Sequence, residues 1–212
     1  MRLVFASNNA HKLSEVREIM PAGIEVLSLR EIGFEAEIDE TGTTLAENSA
    51  IKAQTVAAFI SRQTSAVSHQ IDGVFADDTG LEIDALDGRP GVYTARWYKE
   101  DEPQAQKTEA EIYAANRAKA LRELKNQTNR GAQFKTVITL ITPAQETQVE
   151  GIVRGRIATE EHGEGGFGYD PVFIPEGYDK TFGELPVELK NTISHRARAL
   201  AKLAEILKMY SD

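Results

Sequence analysis

The 212-residue chain contains no cysteine. It therefore has no disulfide frame and no Cys-type zinc or iron–sulfur site. Its four histidines, His11, His69, His162 and His195, are scattered, so a His-rich metal site is not indicated either. Long hydrophobic runs are also missing. No stretch approaches ~18 consecutive apolar residues, and Met1-Arg2-Leu3-Val4-Phe5 gives way to Asn8 and Asn9 too soon for a signal peptide or a spanning helix. The expectation is a soluble, cytoplasmic protein. Positive charge is scarce, with 24 Lys+Arg against 33 Asp+Glu and a net charge of −9. That argues against nucleic acid or an anionic membrane as partner, since both need a basic face. A phosphorylated small molecule remains possible where a few positive groups or a metal ion act locally. The length suits one domain over residues 1–212, with a core that needs no staples.

What is present reads as alternating strands and helices. Val4-Phe5-Ala6 is a short apolar run, followed by the polar Ser7-Asn8-Asn9 and then Leu13, Val16 and Met20 at helical spacing. A second strand fits Glu25 to Leu29, and Thr43 or Thr44 can cap a long helix through about Ile60. Gly73-Val74-Phe75-Ala76 reads as a strand ending in a carboxylate turn, Asp77-Asp78-Thr79-Gly80. A helix is expected around Glu109 to Leu124. Gln133 to Ile141 and Val149 to Ile157 suggest an antiparallel hairpin. Ile193, Ala197, Leu200, Ala204 and Leu207 make one stripe of a closing helix. The class is α/β with a mixed sheet, and the hairpin leaves room for two lobes.

Four segments can carry chemistry. Ser7-Asn8-Asn9-Ala10-His11-Lys12 sits where a strand enters a helix, and reads either as an anion-binding turn for a polyphosphate or as an Asn-rich turn with a capping serine. Asp77-Asp78, with Glu40, Glu47 and Asp84 as further acids, reads as an oxygen-rich Mg²⁺ site or as a solvated turn. In Gly163-Glu164-Gly165-Gly166-Phe167-Gly168-Tyr169-Asp170-Pro171, glycines let backbone approach a planar ligand while Phe167 offers a stacking surface. The alternative is a flexible loop whose aromatics fill a core gap. Lys190 to Arg196 leads into the final helix, with Ser194 as N-cap and His195 and Arg196 in the first turn. There the helix dipole disfavours positive charge unless an anion faces it.

Phe5-Ala6-Ser7-Asn8-Asn9-Ala10-His11-Lys12, Asp39-Glu40-Thr41-Gly42, Glu47-Asn48, Ala76-Asp77-Asp78-Thr79-Gly80-Leu81, Pro90 to Arg96, Gly166 to Pro171 and Ser194-His195-Arg196 follow one another in the chain. In this order they resemble the inosine triphosphate pyrophosphatase family, the Ham1-like pyrophosphatases of non-canonical purine nucleoside triphosphates. The resemblance runs from Leu3 to the final helix. It implies an elongated mixed β-sheet with flanking helices, two lobes around a central nucleotide-binding cleft, and a homodimer. It also implies Mg²⁺-dependent hydrolysis of ITP, dITP and XTP to the monophosphate and pyrophosphate, removing them from the nucleotide pool. By the resemblance, Ser7, Asn8, Asn9, Ala10, His11 and Lys12 form the phosphate-binding turn. Asp78 is the general base and a metal carboxylate, and Glu40 the second metal-site acid. Thr79 contacts substrate, while Phe167, Gly168, Tyr169, Asp170, Lys190, His195 and Arg196 hold the nucleoside. One departure is Asn8, where many members carry glycine; asparagine's tolerance of left-handed backbone predicts that the turn survives.

In this reading Asp78 activates a water that attacks the α-phosphorus, and pyrophosphate leaves. Donors from Lys190, Arg196, His195 or loop backbone would meet the purine 6-oxo group and clash with adenine's amino group. The rivals are a pyrophosphatase for modified pyrimidine nucleotides and a nucleotide sensor that binds without cleaving.

Overall fold

The computed structural model describes residues 1–63 and 70–208, so His69 lies outside the described residues. Strand β1 (Arg2–Phe5) divides its side chains between two apolar layers. Leu3 and Phe5 join Val16, Met20, Phe75, Leu200 and Leu203 on one side; Val4 and Ala6 join Leu27, Ala53, Val56, Val74 and Ala76 on the other. The two-residue period of a strand covered on both faces produces this division. β1 pairs in parallel with β2 (Glu25–Leu27) and with β3 (Gly73–Ile83), Val4 lying opposite Val74 and Phe5 opposite Phe75. Parallel neighbours need crossovers. Helix α1 (Ala10–Ile19) connects β1 to β2, and α2 (Leu45–Ser61) precedes β3. The start of α2 is set by Thr44 and Glu47, which cap each other's backbone N–H in a capping box.

The chain divides into two compact units. The first comprises Met1–Asp78, Thr136–Gly151 and Arg196–Asp212 and holds the two layers above. The second comprises Thr79–Lys135 and Ile152–His195. Its core gathers Leu81, Trp97, Leu124, Phe134, Tyr169, Phe173 and Phe182. It contains the short strands β4 (Pro90–Gly91) and β7 (Phe173–Pro175) and the helices α3 (Glu109–Glu123) and α4 (Val187–Ile193). Strands β5 (Gly131–Ile141) and β6 (Glu146–Ile157) form the expected hairpin. Thr142 N–H donates to the Gln145 carbonyl at its turn, and Ile157 N–H to the Arg130 carbonyl at its open end. Among the described residues the strand order is β2-β1-β3-β5-β6-β7, with β4 on β3. The fold is thus α/β with a mixed sheet and flanking helices, as the sequence predicts. No helix among the described residues is long and apolar enough to cross a membrane.

Two expectations need correction. Asp77 to Gly80 is not a turn but the middle of β3, which continues to Ile83. Both carboxylates are paired with cations inside the fold, so neither needs the solvent a turn would supply. Ile193 does not belong to the closing helix, which is α5 (His195–Lys208). It ends α4, packs against the second unit's core, and is separated from α5 by Ser194 in extended conformation (φ −66°, ψ 160°). Ala197, Leu200, Ala204 and Leu207 form the buried stripe of α5 as expected.

Candidate active site

Strand alternation sends the adjacent Asp77 and Asp78 to opposite faces of β3. Asp77 is on the face covered by α1 and α5, and is 1% exposed. It accepts from Lys12 Nζ at 2.9 Å and from Arg196 Nε at 3.0 Å, and Arg196 also donates to Glu15. Burial alone would push the Asp77 carboxyl up, but Lys12 and Arg196, with Lys52 behind them, outweigh it and hold the group well below the usual carboxylate range. Burial likewise opposes the Arg196 charge, and Asp77 and Glu15 more than restore it. The positive charge at the start of α5 therefore faces two carboxylates, which removes the dipole conflict anticipated from the sequence.

Asp78 is on the face covered by α2. Its Oδ1 accepts from Lys52 Nζ at 2.8 Å, with Asn48 Nδ2 at 3.5 Å from Oδ2. The same ammonium lies 3.0 Å from Glu40 Oε1. Burial dominates at Asp78 and raises its carboxyl above the ordinary value, Lys52 and Lys12 opposing. Lys52 loses by burial but gains more from Asp78, Asp77 and Glu40, so its ammonium is strengthened. Neighbouring aspartates thus differ in kind: one is a firmly ionised anchor, the other a carboxylate whose proton affinity is raised. Just beside them, Ser49 Oγ donates to the Ala76 carbonyl and accepts from Thr139 N–H, both at 2.9 Å, tying α2 to the sheet.

The Ser7–Lys12 segment keeps its turn. Asn9 caps α1 by accepting from Lys12 N–H at 2.9 Å, and Ser7 Oγ accepts from Asn9 N–H at 3.3 Å. Among the described residues Asp87 is the sole non-glycine with positive φ, so Asn8 fits without left-handed backbone. Asn8, Ala10 and His11 are exposed, while Lys12 turns inward to Asp77.

In the second unit, Asp170 organises the glycine-rich loop. Its Oδ2 accepts from Phe167 N–H at 2.8 Å and from Lys190 Nζ at 2.7 Å. Lys190 Nζ also lies 4.8 Å from the Phe167 ring centroid. Gly166 has φ +71°, and a Cβ there would collide with Asp170 Oδ2, so only glycine fits. Tyr169 points into the core: its hydroxyl donates to the Thr94 carbonyl at 3.0 Å, and burial pushes its phenol pKa up. His195 stacks on Phe134 with centroids 4.7 Å apart. Thr79 is half-buried in β3.

The structure brings Lys12, Arg196 and Asp77 together, and Glu40 and Asp78 around Lys52. It does not bring the other acids named above to Asp78. Glu47 accepts from Thr43 and Thr44 N–H as a helix cap, and Asp84 pairs with Arg154 at 2.8 Å. Sequence reasoning passed over Lys52, Ser49 and Glu15, and gave Asn48 no role beyond its place in the Glu47-Asn48 motif. A signal for three of them was available: 48, 49 and 52 lie on the face of α2 that also buries Ala53 and Val56, where polar side chains need partners.

Among the described residues no three His, Cys, Asp or Glu side chains are gathered as a metal set. Glu40 and Asp78 still suit Mg²⁺, which takes one or two carboxylates and completes its shell with water and substrate phosphate. That the two already converge on a single ammonium shows that a positive charge is stabilised there.

The sequence model of the Ham1 family matches residues 3–206. A dITP/XTP pyrophosphatase of Flavobacterium johnsoniae is 44% identical, covering 98% of each chain. One from Bacillus subtilis is 46% identical, covering 97% of this chain and 96% of its own. The solved structure of the Staphylococcus aureus Ham1 protein superposes with a TM-score of 0.80 at 36% identity, over 99% of this chain and 100% of that one. The chain belongs to the Ham1 family.

Proposed function

We propose that this protein hydrolyses dITP, ITP and XTP to the monophosphate and pyrophosphate, clearing them from the nucleotide pool. The observation that carries the reading is the pair of unlike aspartates on β3. Asp77 is locked by Lys12 and Arg196, whereas Asp78 is a buried carboxylate of raised proton affinity beside Glu40 and Lys52. The names borne by the relatives point to the same chemistry.

In the proposed mechanism Asp78 orients a water and accepts its proton as the oxygen attacks the α-phosphorus. Glu40 and Asp78 would hold Mg²⁺, which when bound supplies charge neutralisation to the phosphates. Lys12 and Lys52 favour the charge that builds on phosphate oxygens, and Asp77, itself held by Arg196, keeps Lys12 in place. Ser7 to His11 offer hydroxyl, amide and backbone donors to the polyphosphate. Phe167 is the stacking surface for the base. Lys190, which lies against that ring, is the donor best placed for a purine 6-oxo group. Arg196, already shared between Asp77 and Glu15, serves the phosphate side instead. Gly168, Asp170, His195 and Thr79 complete the nucleoside contacts, with Tyr169, whose ring is in the core, contributing from its backbone.

We further propose a cytoplasmic location and a homodimer, the dimer being tested by light scattering on the purified protein. The activity is tested with dITP, XTP, dGTP and ATP plus Mg²⁺, scoring pyrophosphate against orthophosphate, with EDTA as control. The expected result is pyrophosphate from dITP and XTP, little from ATP, and none with EDTA. Orthophosphate as the released product, or ATP cleaved as fast as dITP, overturns the reading.

A further inference from the structure

Helix α3 lies outside every segment singled out for chemistry, yet it reaches the glycine-rich loop with two side chains. Tyr113 places its ring 6.2 Å, centroid to centroid, from Phe167. Arg117, one turn further along and therefore on the same helix face, donates from Nη1 to the Gly168 carbonyl at 3.0 Å. Its Nε lies 2.9 Å from Glu161 Oε2, an ion pair without hydrogen-bond geometry, on the approach to the loop. The arginine side chain is 16% exposed.

The position of that hydrogen bond matters. Gly166 and Gly168 both have positive φ (+71° and +60°), so Phe167 is flanked by residues that do little to fix their own backbone. On one flank the Phe167 N–H is held by Asp170, itself paired with Lys190. On the other flank the Phe167 carbonyl accepts from Asp170 N–H at 3.1 Å, and the next carbonyl, that of Gly168, is held by Arg117. A ring that stacks on a base works only if its plane is set before the base arrives, because ordering it on binding costs affinity. We propose that Arg117 is a positioning residue for nucleobase recognition, fixing the Phe167 ring through the Gly168 carbonyl without touching substrate. The inference rests on the reading of Phe167 as the base-stacking surface given above.

The test compares wild type, Arg117→Met and Arg117→Lys. Methionine keeps the stem on α3 and loses the donor; lysine can restore a single charged donor. Two calorimetric titrations separate the ends of the nucleotide: inosine monophosphate, which carries the base, and pyrophosphate, which does not. For Arg117→Met, affinity for inosine monophosphate should fall about tenfold, the usual worth of a charge-assisted hydrogen bond. Pyrophosphate affinity should stay within about twofold, and the KM for dITP should rise with kcat nearly unchanged. Arg117→Lys should recover part of the loss. Unchanged affinity for inosine monophosphate in Arg117→Met, or equal loss for both ligands, overturns the inference while leaving the proposed function standing. A wild type that hydrolyses no dITP and does not bind inosine monophosphate overturns the proposed function, and the inference with it.

Discussion

Replacing each of the two adjacent aspartates by asparagine should give opposite phenotypes. Asp77→Asn removes the carboxylate from between Lys12 Nζ at 2.9 Å and Arg196 Nε at 3.0 Å, at a site only 1% exposed. Glu15 still faces Arg196, but Lys12 loses the carboxylate it pairs with. Breaking a buried pair by deleting one partner costs about 3–5 kcal/mol, because the remaining charge stays buried. For a chain of this length each kcal/mol lowers Tm by roughly 2–4 °C, so a fall of roughly 10 °C is expected. Asp78→Asn removes a carboxylate whose ionised form the fold disfavours, and Lys52 keeps Glu40 at 3.0 Å. Its stability should change by no more than about 1 kcal/mol, whereas turnover of dITP should fall by about three orders of magnitude or more, as loss of a general base and metal carboxylate requires. Calorimetric melts and a pyrophosphate-release assay on both variants decide the matter. A D77N protein that melts with the wild type, or a D78N protein that turns over near the wild-type rate, refutes the assignment of roles.

Three further outcomes follow from the same geometry. Ser49→Ala orphans the buried Thr139 N–H and the Ala76 carbonyl at once, and should cost roughly 2–3 kcal/mol in urea denaturation. Asp77 has a folded-state pKa well below its unfolded value near ~3.9. Its stabilisation is therefore complete above that unfolded value and is lost as pH falls toward the folded one. Acid should lower the Tm of wild type more steeply below about pH 4 than that of Asp77→Asn, and parallel curves would argue against the assignment. Gly166→Ala both strains a residue at φ +71° and drives a methyl into Asp170 Oδ2. It should raise the KM for dITP at least about tenfold by displacing the loop, with pyrophosphate binding measured alongside to confirm that the phosphate side is intact.

The parts of the fold legible in the sequence were those set by local pattern. The strand–turn–helix start, the Thr44 cap of α2, the α3 span and the hairpin each follow from residues within a few positions of one another. The misreadings came from interactions between distant residues. Asp-Asp-Thr-Gly has ordinary turn composition, and the cations that hold it within a strand, Lys12 and Arg196, are 65 and 119 residues from Asp77. The burial of Lys52 depends on Asp78, 26 residues on. The stripe from Ile193 to Leu207 has correct helical spacing, but spacing does not reveal that Ser194 adopts an extended conformation. At the glycine-rich loop, composition pointed to Phe167, while its support from Arg117 depends on a contact across 51 residues.

The alternation of β3 bears on how this protein can change over evolutionary time. Substitutions at many positions of the strand alter one contact, but inserting or deleting one residue between Gly73 and Asp77 would exchange the faces of everything beyond it. An insertion would bring the anchoring carboxylate to Lys52 and Glu40 and leave Lys12 and Arg196 facing alanine; a deletion would put the reactive one between Lys12 and Arg196 and leave threonine beside Lys52. Descendants of this chain can therefore vary the chemistry of β3 far more readily than its length.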